Sequence, residues 1–304
     1  MTPQQAYIEF CKTHEVSLFQ TPEWLSMMGK QWDCIHIREE NDELWFPFIH
    51  ERKWTFRFLR NGFLTPYAGW IFSDVSIGQE RKEILVRKLM EQLPEYDILH
   101  LDIHPWHSLE MNFPDDIQQI NKHTNLIRLT NVPEVYANFK PALTRQIKKS
   151  LRSLHIIESH EIALFYNVYQ KTFFKQGQKP PIPFQAFEQV WNFLQQTNSG
   201  KLFLAIDERQ NTHAALLLAY DSSTAYYLSG GTDAEFYGSG AMSGLMWHAI
   251  QYSLQLGKKY FDFEGSMIPS VDRFFKNFGT EEISYTTIQK TNSLLFKLLK
   301  KNKA

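Results

Sequence analysis

Residues 260–279, YFDFEGSMIPSVDRFFKNFG, place two carboxylates two positions apart between phenylalanines and follow them with two cations. Read as a strand, the alternation puts Asp262 and Glu264 on one face and Phe261 and Phe263 on the other. Strand ends in open α/β sheets are where loops diverge and leave a crevice. A carboxylate there can take a proton from an ammonium nucleophile, or hold that amine by charge-assisted hydrogen bonds. Gly265 permits a sharp turn, and Ser266 or Ser270 can cap the helix that follows. The competing reading is structural: the acids form solvent-facing ion pairs with Arg273 and Lys276.

A second stretch, EFYGSGAMSGLMWHAIQYSLQLG, sets Gly238, Gly240 and Gly244 where strand gives way to helix. The free amides of a helix N-terminus suit phosphate or carboxylate, and glycines let such a ligand approach the backbone. A tight turn with close helix packing accounts for the same glycines. A third stretch, Val135 to Ile157, contains no acid but carries Lys140, Arg145, Lys148, Lys149 and Arg152. The last four stand at helical spacing on one face, with Leu143, Ile147, Leu151 and Leu154 on another. Such a stripe fits a polyanion such as a pyrophosphate or a tRNA backbone, or is a solvated amphipathic face. Arg145 is the member expected to grip phosphate, because a guanidinium does so bidentately. His100, Asp102 and His104 share a strand face near His107, but no fourth ligand stands at metal-site spacing, so no metal is expected. There is no GxSxG elbow and no GxxxxGK[ST] loop.

The elements that must position these groups follow from pattern. Thr21-Pro22 opens a helix. CIHIREENDELWFPFI reads as two strands around Glu40-Asn41-Asp42, and 76–93 as a helix. YDILHLDIHP is a strand, and one long helix is expected from Pro133 to about Ser153. The second half reads as helices at 160–175 and 184–196, three strands, a helix at 240–256, a strand at 259–264, a short helix, and a strand near 282–290. The two halves share an element order without sequence repetition, with KKYFDFEGS the counterpart of YDILHLDIHP. We therefore expect two α/β domains, 1–135 and 136–304.

The 304 residues carry a net charge of −1, with 43% hydrophobic and 15% aromatic residues, the profile of a soluble globular protein. The field of the whole molecule favours no polyanion, so anion binding must be local. Cys11 and Cys34 form no disulfide framework. The N-terminal residues resemble no secretory signal, and no apolar run reaches membrane-spanning length. A cytoplasmic location with no integral membrane association is the expectation.

The segment from YYLSGGTDAEF through MSGLMWHAIQYSLQLGKKYFDFEGSMIPSVDRFFKNFGTEEISY resembles the C-terminal half of Fem-type, GNAT-related acyltransferases. In that family an acidic strand end with Gly-Ser precedes a Phe-Lys and Phe-Gly sequence, similar here to Phe275-Lys276-Asn277-Phe278-Gly279, in which a single residue stands between the two pairs. FQTPEWL is similar to the family's N-terminal opening, and TRQIKKSLRSLHI to its basic helix between halves. The resemblance implies an α/β (α+β) fold of two GNAT-like mixed-sheet domains packed around a central cleft. It also implies transfer of an acyl or aminoacyl group to an amine, with no tightly bound cofactor and with acyl-CoA or aminoacyl-tRNA as co-substrate. The acceptor would be a small-molecule or peptide amine, a cell-wall precursor among the candidates.

By that match Lys276 would steady negative charge, and Asp262 or Glu264 would orient or deprotonate the amine. Tyr227 and Ser229 would donate hydrogen bonds from one strand into the cleft. Arg145, Arg60 and Arg273 would bind substrate, and Gly238 and Gly240 the donor. The family's anion loop is only half matched, because Glu235 stands where a cation or amide is usual. A non-catalytic module binding peptide, glycan or RNA is the alternative.

Overall fold

The computed structural model describes residues 1–29, 31–174, 177–265 and 267–301. They form two compact units, Met1–His123 with Ser284–Ala304, and Thr124–Ile283. In the first, a capping box of Thr2 and Gln5 opens helix α1 (Pro3–Thr13), and Thr21 with Pro22 opens α2 (Pro22–Met28). Strands β1 (Trp32–Glu39) and β2 (Asp42–Ile49) form a hairpin turning at Glu40, whose φ is +54°. A second hairpin joins β3 (Glu51–Lys53) to β4 (Phe56–Arg60), and β5 (Ile71–Phe72) pairs with β2. Helix α3 (Gln79–Gln92) buries Leu85, Val86 and Leu89, and β6 (Ile98–Asp102) runs parallel to β4.

Strand β7 (Gln118–Arg128) leads into the second unit. Two helices, α4 (Val132–Ala137) and α5 (Pro141–Ser153), stand where the sequence predicts one. Pro141 is the cause: it has no N–H to donate and holds Lys140 extended, at φ −63° and ψ 145°. Then come β8 (His155–Ser159), α6 (Ile162–Phe174), α7 (Phe184–Gln196), β9 (Gly200–Ile206), β10 (Thr212–Tyr220) and β11 (Thr224–Thr232). Helix α8 (Ala241–Gln255), β12 (Tyr260–Asp262) and α9 (Pro269–Lys276) complete the unit. Its strands lie in the order β8-β9-β10-β11-β12-β7, antiparallel at every step except β11 to β12, which is parallel.

The chain then forms β13 (Glu281–Thr291) and α10 (Leu294–Lys301). The expected division at 135/136 is corrected here. The boundary falls at 123/124, and residues 284–304 belong to the first unit, because β13 pairs with β6 from Thr287↔Asp102 to Thr291↔Ile98.

β10 reads as an unbroken apolar run because both of its faces are covered. Ala214, Leu216 and Leu218 share a core with Leu245, Met246, Ala249 and Ile250 of α8. Ala215 and Leu217 are equally buried on the opposite face. On that face Gly231, the partner of Ala215, lets α6 approach the sheet. A β-carbon at Gly231 would stand 2.9 Å from Tyr169 Cα, and backbone cannot swing aside. Gly231→Ala should therefore cost about 1–3 kcal/mol in urea unfolding, as overpacking does; wild-type stability would show that α6 does not sit this close.

Candidate active site

Strands β11 and β12 run side by side for three residue pairs, Thr224↔Tyr260, Ala225↔Phe261 and Tyr226↔Asp262. There the ladder ends, because β12 stops while β11 continues to Thr232. The stop is chemical. Asp262 turns its carboxylate back onto the chain, and its Oδ1 accepts the Glu264 N–H at 2.7 Å. The Thr124 hydroxyl donates to the same oxygen, and the Phe263 N–H donates to the Asn125 carbonyl at 3.0 Å. Asp262 is only 3% exposed. It is a positioning residue: its hydrogen bonds set the turn rather than face a substrate.

Glu264 therefore does not share a strand face with Asp262 by alternation. It leaves the strand with φ +57°, followed by Gly265 at +46°. A left-handed conformation costs a residue with a β-carbon roughly 1–2 kcal/mol. The residue as a whole is half-buried, yet its Oε1 is sealed from solvent and has no hydrogen-bond partner among the described residues. Burial first, and the Asp262 charge second, hold its carboxyl well above the ordinary value of 4.5. Backbone strain, an orphan oxygen and a displaced proton affinity thus meet on one side chain, a combination characteristic of functional sites.

Tyr227 is its electrostatic neighbour. Burial first, and then the Glu264 charge, raise the phenol well above the ordinary tyrosine value, so the hydroxyl keeps its proton. The ring packs edge-on to Phe275, 5.8 Å between centroids, and a β-carbon at Gly230 would collide with the Tyr227 hydroxyl. β11 carries a bulge here: Leu217 pairs with Ser229 but Leu218 with Tyr227, leaving Leu228 as the extra residue. Alternation is broken as a result. Tyr227 lies on the α8 face and Ser229 on the α6 face, so the expectation that both point into one cleft is corrected. No regular periodicity predicts the bulge.

The cations also differ from expectation. The Lys276 ammonium is engaged by Asp272, at 2.8 Å, and by Glu282, not by Asp262 or Glu264. Those partners raise its proton affinity, Asp272 foremost. The Phe275–Gly279 segment works as an anchor. Phe275 and Phe278 pack on Phe263 at 4.9 and 5.3 Å, and Gly279 (φ +68°) lies where a β-carbon would strike the Asn138 carbonyl. Fully buried Asn125, which the sequence does not single out, ties this helix down by donating to Asp272 and accepting from Thr280, both at 2.9 Å. Arg273 is exposed on α9. Ser266 lies outside the described residues; Ile268 occupies the N-cap of α9 without a side-chain hydrogen bond, so Ser270 is inside the helix rather than its cap.

The glycine loop and the cationic helix, separate in the sequence, are brought together. Gly240 sits at φ +74° with α5 so close that a β-carbon would be 2.8 Å from the Gln146 carbonyl oxygen. The Ser243 hydroxyl donates to Gln146 at 2.9 Å, and Lys149 donates to the Gly238 carbonyl at 2.6 Å. Arg145 and Lys148 are exposed on the same helix. Glu235 is exposed and takes no part beyond its N–H, which caps onto Asp233.

In the first unit Arg60 is held by Glu51 through two hydrogen bonds, so its guanidinium is already neutralised rather than free for substrate. Asp102 is taken by Lys122, Thr287 and His100, with its carboxyl held down to about 2 despite the opposing effect of burial. His104 and His107 each accept a backbone N–H at Nδ1, and burial pushes them down to about 3 and about 4. Both are neutral core histidines.

The second unit is thus an otherwise antiparallel sheet with one parallel pair, β11 and β12, and the glycine loop and α8 lie between those two strands in the chain. The family model described as an acetyltransferase (GNAT) domain matches residues 138–275. That match lies within the second unit and covers somewhat less than half of the chain. Over 97% of its length the chain is similar to FemX, covering 98% of that structure at 16% identity and a TM-score of 0.66. It is also similar to the C-terminal domain of a putative lysylphosphatidylglycerol synthetase from Agrobacterium fabrum, at 12% identity and TM-score 0.55, covering 95% of this chain and 93% of that one. A tandem GNAT protein from the clavulanic acid biosynthesis pathway aligns at 10% identity and TM-score 0.53, covering 96% and 95%. At these identities the likeness is one of fold, and the expected mixed α/β fold of GNAT-like units is confirmed. No curated protein matches the sequence. Among the described residues no helix is long and apolar enough to cross a membrane.

Two outcomes follow from the site's electrostatics. Below pH 4.5, Glu264 holds its proton whether folded or unfolded. Above that pH the unfolded chain releases the proton while the folded one keeps it, so this group makes stability fall as pH rises toward the folded value. Denaturant titrations should show Glu264→Gln gaining on wild type as pH is raised above 4.5; parallel curves would mean an ordinary carboxyl. Lys276→Met should leave turnover within about threefold, since exposed ion pairs contribute little; abolished turnover would restore the lysine to the chemistry.

Proposed function

We propose that the protein transfers an acyl or aminoacyl group from an activated ester or thioester to an amine acceptor, at the parting of β11 and β12. The observation that carries this reading is the sealed, unpartnered Glu264 carboxyl oxygen beside neutral Tyr227. An amine entering the gap would supply the missing hydrogen-bond donor. A carboxylate with raised proton affinity is a better base toward an ammonium than an ordinary one.

The amine nitrogen gives its proton to ionised Glu264 and forms the new N–C bond at the donor carbonyl. Tyr227, which holds its proton, donates a hydrogen bond to the oxyanion that develops. Collapse expels the thiolate or ribose alkoxide, which takes up the proton held on Glu264, so the product leaves as thiol or hydroxyl and the carboxylate is regenerated. Proximity supplies much of the remaining acceleration.

We read the donor as acyl-CoA or aminoacyl-tRNA, neither tightly bound. The glycine loop at the start of α8, flanked by Arg145 and Lys149, supports its anionic portion. The neighbours named FemX and lysylphosphatidylglycerol synthetase favour an aminoacyl group. The acceptor is a small-molecule or peptide amine, with a cell-wall precursor the leading candidate by resemblance to the Fem-type enzymes.

The test is release of free CoA or of deacylated tRNA when the protein is mixed with each donor and a panel of amines. Glu264→Gln should lower kcat by about 10²–10⁴-fold, the usual contribution of a general base. Tyr227→Phe should lower it by about 10²-fold, as loss of one oxyanion donor does. Because the base must be ionised, kcat/KM should rise with pH through the elevated Glu264 value. Full activity in Glu264→Gln would remove the assignment.

A further inference from the structure

The hairpin of β3 and β4 turns through two residues, Trp54 and Thr55, closed by the pair Lys53↔Phe56. Trp54 occupies its turn position at φ +57°, where glycine or asparagine is ordinarily favoured. It is also 79% exposed. A large apolar ring placed where a β-carbon is disfavoured, and left in water, has no packing role in this unit. Arg52 and Lys53 beside it are exposed, and the Lys53 ammonium lies 5.9 Å from the Trp54 ring.

Helix α10 docks on the same hairpin. Phe296 meets Phe56 and Phe58 edge-on, at 5.2 and 6.0 Å. Leu294 and Leu295 of that helix are 74% and 56% exposed, next to exposed Lys297. Residues 292–304, NSLLFKLLKKNKA, contain four lysines and no acid, in a chain whose net charge is −1. The acids that contact the hairpin are already taken, Glu51 by Arg60, and Glu95 and Asp97 by Arg57. The surface is therefore apolar at its tips and cationic around them.

We propose that the β3–β4 hairpin tip and helix α10 form one surface that docks on an anionic lipid bilayer. Trp54, Leu294 and Leu295 enter the boundary between headgroups and acyl chains, while Arg52, Lys53 and Lys297 meet the lipid phosphates. Charge complementarity selects the occupant. A hairpin tip and a helix flank project outward, as insertion into a soft interface requires, and tryptophan has its preferred place at that depth. The inference is independent of the transfer reaction, since none of these residues belongs to its machinery.

The test is co-sedimentation of the whole protein with phosphatidylglycerol–phosphatidylcholine vesicles and with vesicles of phosphatidylcholine alone. Binding is expected to the first and to fall steeply with salt. Arg52→Glu with Lys53→Glu should weaken it by about tenfold or more, at about 1 kcal/mol per cation. Trp54→Gly should weaken it by about tenfold as well, through lost interfacial insertion. Glycine suits that backbone better, so this variant should unfold at no lower temperature than wild type, which separates lost docking from lost fold. No sedimentation with phosphatidylglycerol vesicles at low salt, equal binding to phosphatidylcholine alone, or unchanged binding in both variants would overturn the proposal.

Discussion

The turn closed by Asp262 sets the position and the electrostatics of Glu264. One buried carboxylate accepts the Thr124 hydroxyl and the Glu264 N–H, and in doing so ends β12 two residues before Glu264. With that turn, Glu264 is forced into a left-handed backbone, its carboxyl oxygen is sealed away, and the negative charge of Asp262 raises its proton affinity further. One interaction ends the strand, places the side chain and raises its proton affinity. The two acids of the YFDFEGS segment are placed differently, one holding the backbone and the other outside the strand with an oxygen that has no hydrogen-bond partner among the described residues.

The surroundings are built to keep that turn in place. Phe261, Phe263, Phe275 and Phe278 form a continuous ring cluster beneath it, and Trp247 and Phe139 extend it under α8. Asn125 ties α9 to the cluster at a point where rings offer no hydrogen bonds. The Phe-Lys-Asn-Phe-Gly spacing of residues 275–279 is explained by this packing: both phenylalanines are core residues, and the glycine is required by the close approach of Asn138. The lysine between them is on the outside of the helix. A motif's most visible charge need not be its working part.

Much of the fold was legible because period and punctuation carry it. Thr21-Pro22 marked its helix, and the helices expected at 184–196 and 240–256 stand within a residue of α7 and α8. The long helix failed at Pro141, where a local rule outranked amphipathic spacing. The domain division failed because the partner of β13 is β6, almost 190 residues earlier for Thr287 and Asp102, a pairing no local pattern encodes. At the site, Glu264 and Tyr227 were named from the sequence, but for the wrong geometry: alternation cannot foresee the Asx-type turn that removes Glu264 from its strand, nor the bulge at Leu228 that separates Tyr227 from Ser229. Thr124 and Asn125 gave no sign, since a buried threonine and asparagine in a strand look like any others until their partners arrive from residues 262, 272 and 280.

What the account stands on is the protonation of one side chain, and that can be observed without substrate. Protein labelled with 13C at the glutamate δ-carbons, titrated by NMR and assigned by loss of one resonance in Glu264→Gln, reports it directly. The account predicts that this resonance titrates well above 4.5, the ordinary glutamate value, and alone among the glutamates moves downward when Asp262→Asn removes the neighbouring charge. A Glu264 resonance that titrates with the surface glutamates and ignores Asp262 would contradict it.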